Sequence, residues 1–407
     1  MPSPDYAGGS IANLMASLAQ ACGWPDPPCP PLGQLPPARL EGARNLMLLV
    51  VDGLGYQTLL QRGQGALRRH LQGGLTSVFP STTASAITTF MTGLPPSQHG
   101  LTGWHMWMDE VERVMSILPL SARGEPRPGG RRDGQNGTPM PENPVPPGRA
   151  PLPHREELPA RFFDHPSFYS RLQRPSYVVA PSTIINSPFN RYHSRGATRI
   201  PYQTLGDLFA ALAGVAATPG KKFIYGYWPE LDSMSHDQGL AGPGTALVLA
   251  AFEAAFDAFV ASLAGSDTLL LVTADHGFMD SPPERQLHLE DHPQLAACLA
   301  RPLCGERRVP YCYLKPGAEA DFTAYVARHL AHAAVAVPRE QLFAAGWFGP
   351  GPLHPRLVSR VGDYVLLMQD DWTLRDLMPG EKEHPMLGFH GGVSTAEMTV
   401  PLVLIET

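Results

Sequence analysis

Charge is scarce in this chain. Only 17% of its 407 residues are Asp, Glu, Lys or Arg, and the net charge is -6. No basic stripe is present. The pairs Arg131-Arg132 and Arg307-Arg308 read as solvated surface, so nothing points to nucleic-acid polymer as a partner. Cysteine is sparse too: five residues, at 22, 29, 298, 304 and 312. An odd count without CxxC spacing excludes a disulfide framework and a cysteine zinc site. The five read as reduced structural thiols. Long apolar runs are missing, none approaching the ~20 residues of a membrane span. The N-terminus lacks the cationic start and apolar region of a signal peptide. A cytoplasmic location without membrane association is therefore expected. Hydrophobic residues make up 43% of the chain, ample for a large core and two or three domains.

Local patterns give an alternating architecture. Residues 10–21 fit a short amphipathic helix, and the proline-rich stretch 25–37 an arm lying over the core. Leu46–Val51 is a continuous apolar strand of the kind buried on both faces. Residues 82–92 follow Pro80 as a helix, with Ser81 or Thr82 as N-cap. Residues 121–160, rich in Pro, Gly and Arg, read as an irregular excursion. A helix over SFYSRLQ, a strand at Ser176–Pro181 and a helix over YQTLGDLFAALAGVAA come next. The strand KFIYGYW, a helix over 244–264 and the strand TLLLVTA continue the series. This is the pattern of an α/β fold: a doubly wound, mostly parallel sheet with helices on both faces. Beyond residue 280 the pattern changes. Helices at 292–300 and 321–335, a strand at Val309–Leu314 and strands near Arg356–Val361 and Tyr364–Met368 suggest an inserted smaller α+β cap. The expected organisation is an N-terminal arm (1–40), a catalytic core (41–280), a cap (281–380) and a return to the core (381–407), closed by a strand at Val400–Ile405.

Three apolar strands end in an acidic residue: LMLLVVDG at Asp52, KFIYGYWPELD at Asp232 and TLLLVTADHG at Asp275. In doubly wound sheets ligands collect beyond the carboxyl ends of strands, so the fold would bring these together. Asp232 and His236 lie four apart and share one side of a helical turn. Asp275 and His276 are adjacent, and Gly277 frees the backbone there. His390, in a glycine loop, can cross the top of the sheet. The expected partition is Asp232, His236 and His390 on one divalent ion, with Asp52, Asp275 and His276 on the other. Mixed histidine and carboxylate ligation favours zinc, with manganese as the harder alternative. A single Asp after a strand is ordinarily a turn or helix cap. The weight lies in the ordered set. Between the first two strands FPSTTASAITTFMTG offers hydroxyls at a helix N-terminus, where a metal can stabilise an alkoxide and free N–H groups can hold a phosphate oxygen. Asn186, Asn190, Tyr227 and His288 are further candidates, each with an ordinary structural reading.

The ordered motifs VVDGLG, FPSTTASAITTFMTGLPPSQHG, ELDSMSH, TADHG and GFHGG resemble the alkaline phosphatase superfamily, most closely its nucleotide pyrophosphatase/phosphodiesterase branch. That resemblance spans residues 46 to 405. It implies a phosphoester hydrolase with Thr83 as nucleophile and metal contact, Thr82 and Ser81 being the near alternatives. It also implies a phosphothreonine intermediate and the two metal triads already named. The chain departs from the branch at Ala84, Ser85 and Ala86, where the aromatic that would stack on a nucleobase is absent. It departs again at Trp104, where the branch carries a phosphate-binding asparagine. Ala84 and Trp104 are therefore the candidate substrate contacts. A phosphodiesterase is the leading expectation, with a phosphomonoesterase, a phosphonoacetate-type hydrolase or a catalytically silent phosphoryl-ligand binder as alternatives.

Overall fold

The computed structural model describes residues 3–124, 152–378, 381 and 385–407. Most of the 121–160 excursion therefore lies outside the described residues. Two seven-stranded sheets dominate. In chain order their strands are β1 (Asn45–Val51), β2 (Leu71–Thr76), β3 (His105–Met108), β4 (Arg113–Ser116), β5 (Ser121–Ala122), β6 (Ser176–Pro181) and β7 (Ala197–Tyr202). They continue with β8 (Lys222–Trp228), β9 (Thr268–Thr273), β10 (Cys304–Glu306), β11 (Val309–Cys312), β12 (Ala334–Pro338), β13 (Tyr364–Met368) and β14 (Thr399–Glu406). The first sheet runs β2-β14-β9-β1-β8-β6-β7. It is parallel except for β14, which lies antiparallel between β2 and β9. The fold is thus the mixed α/β architecture expected from the alternation.

Five helices set the layers: α1 (Ile11–Ala21), α2 (Thr83–Thr92), α3 (Leu205–Ala217), α4 (Glu230–Gln238) and α5 (Pro243–Ser262). α1 packs on α2. Its Ser10 and Asn13 form a reciprocal capping box, satisfying two donors that the first turn leaves over. α3 packs on β6, β7 and β8, and α5 on α3 and α4. Covered on both faces, β1 and β8 are buried at every position. α5 is also the one helix among the described residues long and apolar enough to cross a membrane. Its Glu253 and Asp257 accept the Gln64 and Ala66 N–H groups at 2.5 and 2.6 Å. At the amino ends of the central strands, buried Asn45 donates to Ala216 and Ser266 carbonyls and accepts from Lys222. That polar lock leaves the carboxyl ends free for other residues.

The second sheet, ordered β12-β13-β11-β10-β3-β4-β5, is antiparallel throughout. It joins residues 105–122 to residues 304–368. Several local expectations differ from the structure here. The helix expected over 321–335 is α-helical only at Glu319–Tyr325, loosens to a π-turn at Val326–Leu330, and gives way to β12. The alternating AVAVP that forms β12 lets it pair along the whole of β13. The strand expected near Arg356–Val361 is a helical turn, Leu357–Arg360. It is held by buried Arg360, which donates to Gly100 O and Phe162 O at 3.1 and 2.8 Å. SFYSRLQ makes only a 3-10 turn at Tyr169–Arg171. All five cysteines are free and buried, as read from their spacing.

Candidate metal centre and nucleophile

Register decides what meets at the carboxyl ends. Val51 pairs with Trp228, and Val50 with Thr273. Asp52 and Asp275 therefore emerge side by side from β1 and β9, and β8 runs directly into α4 with Asp232 in its first turn. His236 follows one turn later on the same face. His390 arrives from the loop after Gly388–Phe389, a two-residue strand paired with Met279–Asp280.

The side chains converge. His276 Nε2 lies 3.3 Å from Asp52 Oδ1 and 3.4 Å from Asp275 Oδ2. Asp232 Oδ1 lies 3.4 Å from His236 Nε2, 3.7 Å from His390 Nε2 and 3.9 Å from His276 Nε2. The His236 and His390 Nε2 atoms are 3.2 Å apart. His276 thus stands between the two expected triads, and its ligand atom groups with Asp232 and His390 as well as with Asp52 and Asp275.

This donor set fits divalent cations. Asp52 Oδ1, Asp232 Oδ1 and Asp275 Oδ2 are buried and have no hydrogen-bond partner among the described residues. A buried carboxylate oxygen without a partner carries a large desolvation cost, which a cation offsets. The other atoms of the same groups are tied down. Asp275 Oδ1 accepts the Gly53 and His276 N–H groups at 3.1 and 3.0 Å. The Tyr227 hydroxyl donates to Asp52 Oδ2. His236 Nδ1 meets Gly388 O at 2.9 Å and His276 Nδ1 meets Gly277 O at 3.0 Å. A proton on each Nδ1 satisfies those carbonyls and turns the Nε2 lone pair toward the centre.

The electrostatics agree. Burial raises Asp52 well above the ordinary carboxylate range, and Asp232 and Asp275 push it further. Asp232 is raised by burial, then by Asp275 and Glu306. Burial lowers His276, and it lowers His390 strongly, with the neighbouring His276 and His236 adding to the effect. The pocket favours neutral imidazoles, whose Nε2 is free for metal, and protonated Asp52 and Asp232, which would release protons on binding it.

Three adjacent hydroxyls separate by direction. Ser81 Oγ donates to Gly392 O at 2.7 Å. Thr82 is the N-cap residue of α2, yet its hydroxyl caps nothing and donates instead to Glu306 Oε1 at 2.6 Å. Thr83 Oγ1 alone faces the centre, 3.1 Å from His276 Nε2. Ser85 and Ala86 N–H groups bond the Thr82 carbonyl. The amides of Thr83 and Ala84, at the positive end of the helix dipole, remain for an anion.

Other sequence candidates scatter. Ala84 is buried, its carbonyl accepting from Thr88. Trp104 presents its backbone N–H to Glu306 at 2.7 Å. Asn190 serves Ile184 O and Ser187, and His288 approaches Arg375. Asn186 lies on an open cleft with Arg195 and Arg199, away from the triads. The pair Arg307-Arg308 is not solvated surface. Arg308 is 1% exposed and bonds both Glu397 oxygens at 3.0 Å, because Glu397 is buried too and holds the Gly392 amide at 2.8 Å. Arg307 is partly buried, close to the Phe389 ring. Glu306 and Glu397 escape sequence reading, since no motif or period marks them, and without Glu397 the burial of Arg308 has no sign in the sequence.

The family model described as type I phosphodiesterase / nucleotide pyrophosphatase matches residues 46–119 and 160–392. No curated protein sequence matches the chain. Solved structures do. Murine ectonucleotide pyrophosphatase / phosphodiesterase 5 aligns at a TM-score of 0.62 and 16% identity, over 88% of this chain and 87% of that one. An inactive threonine-to-alanine variant of the murine protein, in complex with AMP, aligns at 0.61 and 15% over the same shares. Phosphonoacetate hydrolase from Sinorhizobium meliloti 1021, in complex with phosphonoacetate, aligns at 0.60 and 16%, over 89% of this chain and 90% of that one. At such identities the likeness is one of fold.

Proposed function

The chain belongs to the type I phosphodiesterase / nucleotide pyrophosphatase family, and from that premise we propose that it is a dinuclear-metal phosphodiesterase with Thr83 as nucleophile. One observation carries the reading: Thr83 Oγ1 sits 3.1 Å from His276 Nε2, beside three buried carboxylate oxygens that have no hydrogen-bond partner among the described residues. Asp232, His236 and His390 would hold one ion, and Asp52, Asp275 and His276 the other. The donor set suits zinc, with manganese as alternative. Bound there, such ions supply Lewis-acid stabilisation of phosphoryl charge and of the threonine alkoxide.

The chain's own groups do the rest. The α2 N-terminus, with the Thr83 and Ala84 amides, orients a non-bridging oxygen. Thr83 Oγ1 forms the new P–O bond as the ester P–O bond breaks on the opposite side. The alcohol leaves with the proton the hydroxyl gave up. Water then cleaves the phosphothreonine, restoring Thr83 and releasing a phosphomonoester. Two in-line displacements retain configuration at phosphorus. The inactive threonine-to-alanine variant of a structural neighbour supports this role for threonine. Residues 281–380 act as a cap in this reading, since Glu306 reaches the nucleophile turn from there. A small-molecule ester fits better than a polymer, given the acidic net charge.

Side-by-side assay of bis-p-nitrophenyl phosphate and p-nitrophenyl phosphate, after reconstitution with zinc or manganese, tests the proposal. Faster diester turnover is expected. Failure to cleave either ester with either metal would refute it. A second reading, hydrolysis of a carbon–phosphorus bond, is favoured by the phosphonoacetate hydrolase likeness. Release of orthophosphate from phosphonoacetate would establish it.

A further inference from the structure

Glu306 ends β10 where three segments meet. Its Oε1 accepts the Thr82 hydroxyl at 2.6 Å and the Trp104 N–H at 2.7 Å. Its Oε2 makes no hydrogen bond among the described residues. On a third side the histidine loop presses in: a Cβ on Gly391 would lie 2.7 Å from Glu306 Cγ. Another close approach delivers the residue. A Cβ on Gly103 would lie 2.8 Å from Gly305 Cα, and Gly305 itself needs φ +76°. The carboxylate is thereby fixed between the turn carrying Thr83 and the loop carrying His390, and its charge reaches Asp232. It is not among the converging ligand atoms.

Its presence changes the balance of charge. Two divalent ions bring four positive charges. Asp52, Asp232 and Asp275 offset three of them, and Glu306, with Arg307 beside it, brings a fourth negative charge nearby. The added negative charge reduces the advantage that the ions would give a doubly charged phosphoryl group over a singly charged one. Burial pushes the Glu306 carboxyl up to about 7, so near pH 8 it is mostly ionised and offers only acceptors. It cannot bond a bare phosphoryl oxygen and repels it, whereas an esterified oxygen meets it without penalty. We infer that Glu306 is a specificity-determining residue that selects singly charged phosphodiesters over doubly charged phosphomonoesters. The same charge disfavours a phosphonate that carries a second, carboxylate anion. The inference deepens the phosphodiesterase reading and rests on it.

Glu306→Gln tests it, since the amide oxygen can still accept from Thr82 and Trp104. Two readouts are taken on the metal-reconstituted protein. One is kcat/KM for p-nitrophenyl phosphate and for bis-p-nitrophenyl phosphate. The other, independent of turnover, is calorimetric binding of orthophosphate and of dimethyl phosphate near pH 8. Removing one nearby charge should raise the monoester-to-diester ratio about tenfold and tighten orthophosphate binding by about the same factor. Dimethyl phosphate binding should not change, and Glu306→Asp should keep the wild-type ratio. A folded Glu306→Gln protein with both readouts within about twofold of wild type would overturn the inference and leave the hydrolase reading intact. Tighter orthophosphate binding without turnover of either ester in any variant would do the reverse. Should Glu306→Gln not fold, the wild type decides: a preference for the monoester in turnover and for orthophosphate in binding overturns the inference.

Discussion

Replacing Asp52 by asparagine should stabilise the metal-free protein and remove the share of its metal response that comes from the site of Asp52, Asp275 and His276. The ligand atoms of Asp52, Asp275 and His276 lie within 4.8 Å of one another. Two unit charges at such a separation repel by about 3 kcal/mol at an effective dielectric of about 20. That figure is a ceiling, because burial and the neighbouring Asp232 and Asp275 raise Asp52 and let the acids share protons. The asparagine oxygen can keep the Tyr227 bond, and its amide can donate into the cluster. Unfolding entropy of about 2 cal/mol/K per residue gives roughly 0.85 kcal/mol/K for a chain of this length. A gain of about 1–3 kcal/mol therefore raises the metal-free melting temperature by about 1–4 °C. In the wild type, an ion at about 100 times its Kd adds about 2.7 kcal/mol, or roughly 3 °C for each site. The pH dependence has a definite sign. Asp52 and Asp232 are raised in the folded state, so their contribution to metal-free stability is full below the ordinary carboxylate range. It is lost as pH climbs through the raised folded values. Metal competes with those protons, so metal stabilisation must grow over the same window. Scanning calorimetry of chelator-treated and zinc-loaded protein, wild type and Asp52→Asn, from about pH 5 to 8 reads all three effects. A variant that melts lower without metal, or one that keeps the full zinc shift, would refute the reasoning.

Thr83→Ala should abolish turnover while elemental analysis still finds the wild-type metal content; full activity in that variant sinks the nucleophile assignment. His390→Ala or Asp275→Ala should lose metal instead, by the same measurement. Tyr227→Phe, which removes the donor on Asp52 Oδ2, should weaken metal binding about 10- to 100-fold in a chelator competition assay. Arg308→Met leaves Glu397 as a buried, unpaired acid, since the pair is 1% and 0% exposed. A loss of about 3–5 kcal/mol is expected in chemical denaturation. Pairing it with Glu397→Leu should restore much of that loss.

The sheet and the convergence of its acids and histidines were legible because strand burial and chemistry coincide there. Apolar runs such as NLMLLVV have only one stable placement, inside a doubly covered sheet. Acids just past such runs must then share the carboxyl edge. What could not be read follows from long-range contacts. β2, with its LQGGLT pattern of mixed burial, depends on β14 for pairing. β12 looked helical because AHAAVAV carries no period strong enough to oppose the helical stretch before it. The choice among Ser81, Thr82 and Thr83 depends on partners more than 190 residues away in sequence, Gly392, Glu306 and His276. Glu306 itself is one acid in a short hairpin, and its place depends on the pairing of that hairpin with β3 and the close Gly103–Gly305 contact.

The position of β14 bears on how the protein comes into being. Among the described residues it is the last strand in chain order, yet it fills the gap between β2 and β9. Until it emerges, β2 has no neighbour in the sheet and β9 keeps an open edge. The histidine loop, only a few residues upstream, leaves the exit tunnel at nearly the same moment. Folding from the N-terminus onward can build the central strands early, but a nascent or prematurely stopped chain has neither a closed sheet nor a complete set of ligands. Synthesis order thus ties two events together: His390 and the strand that closes the sheet become available at almost the same time.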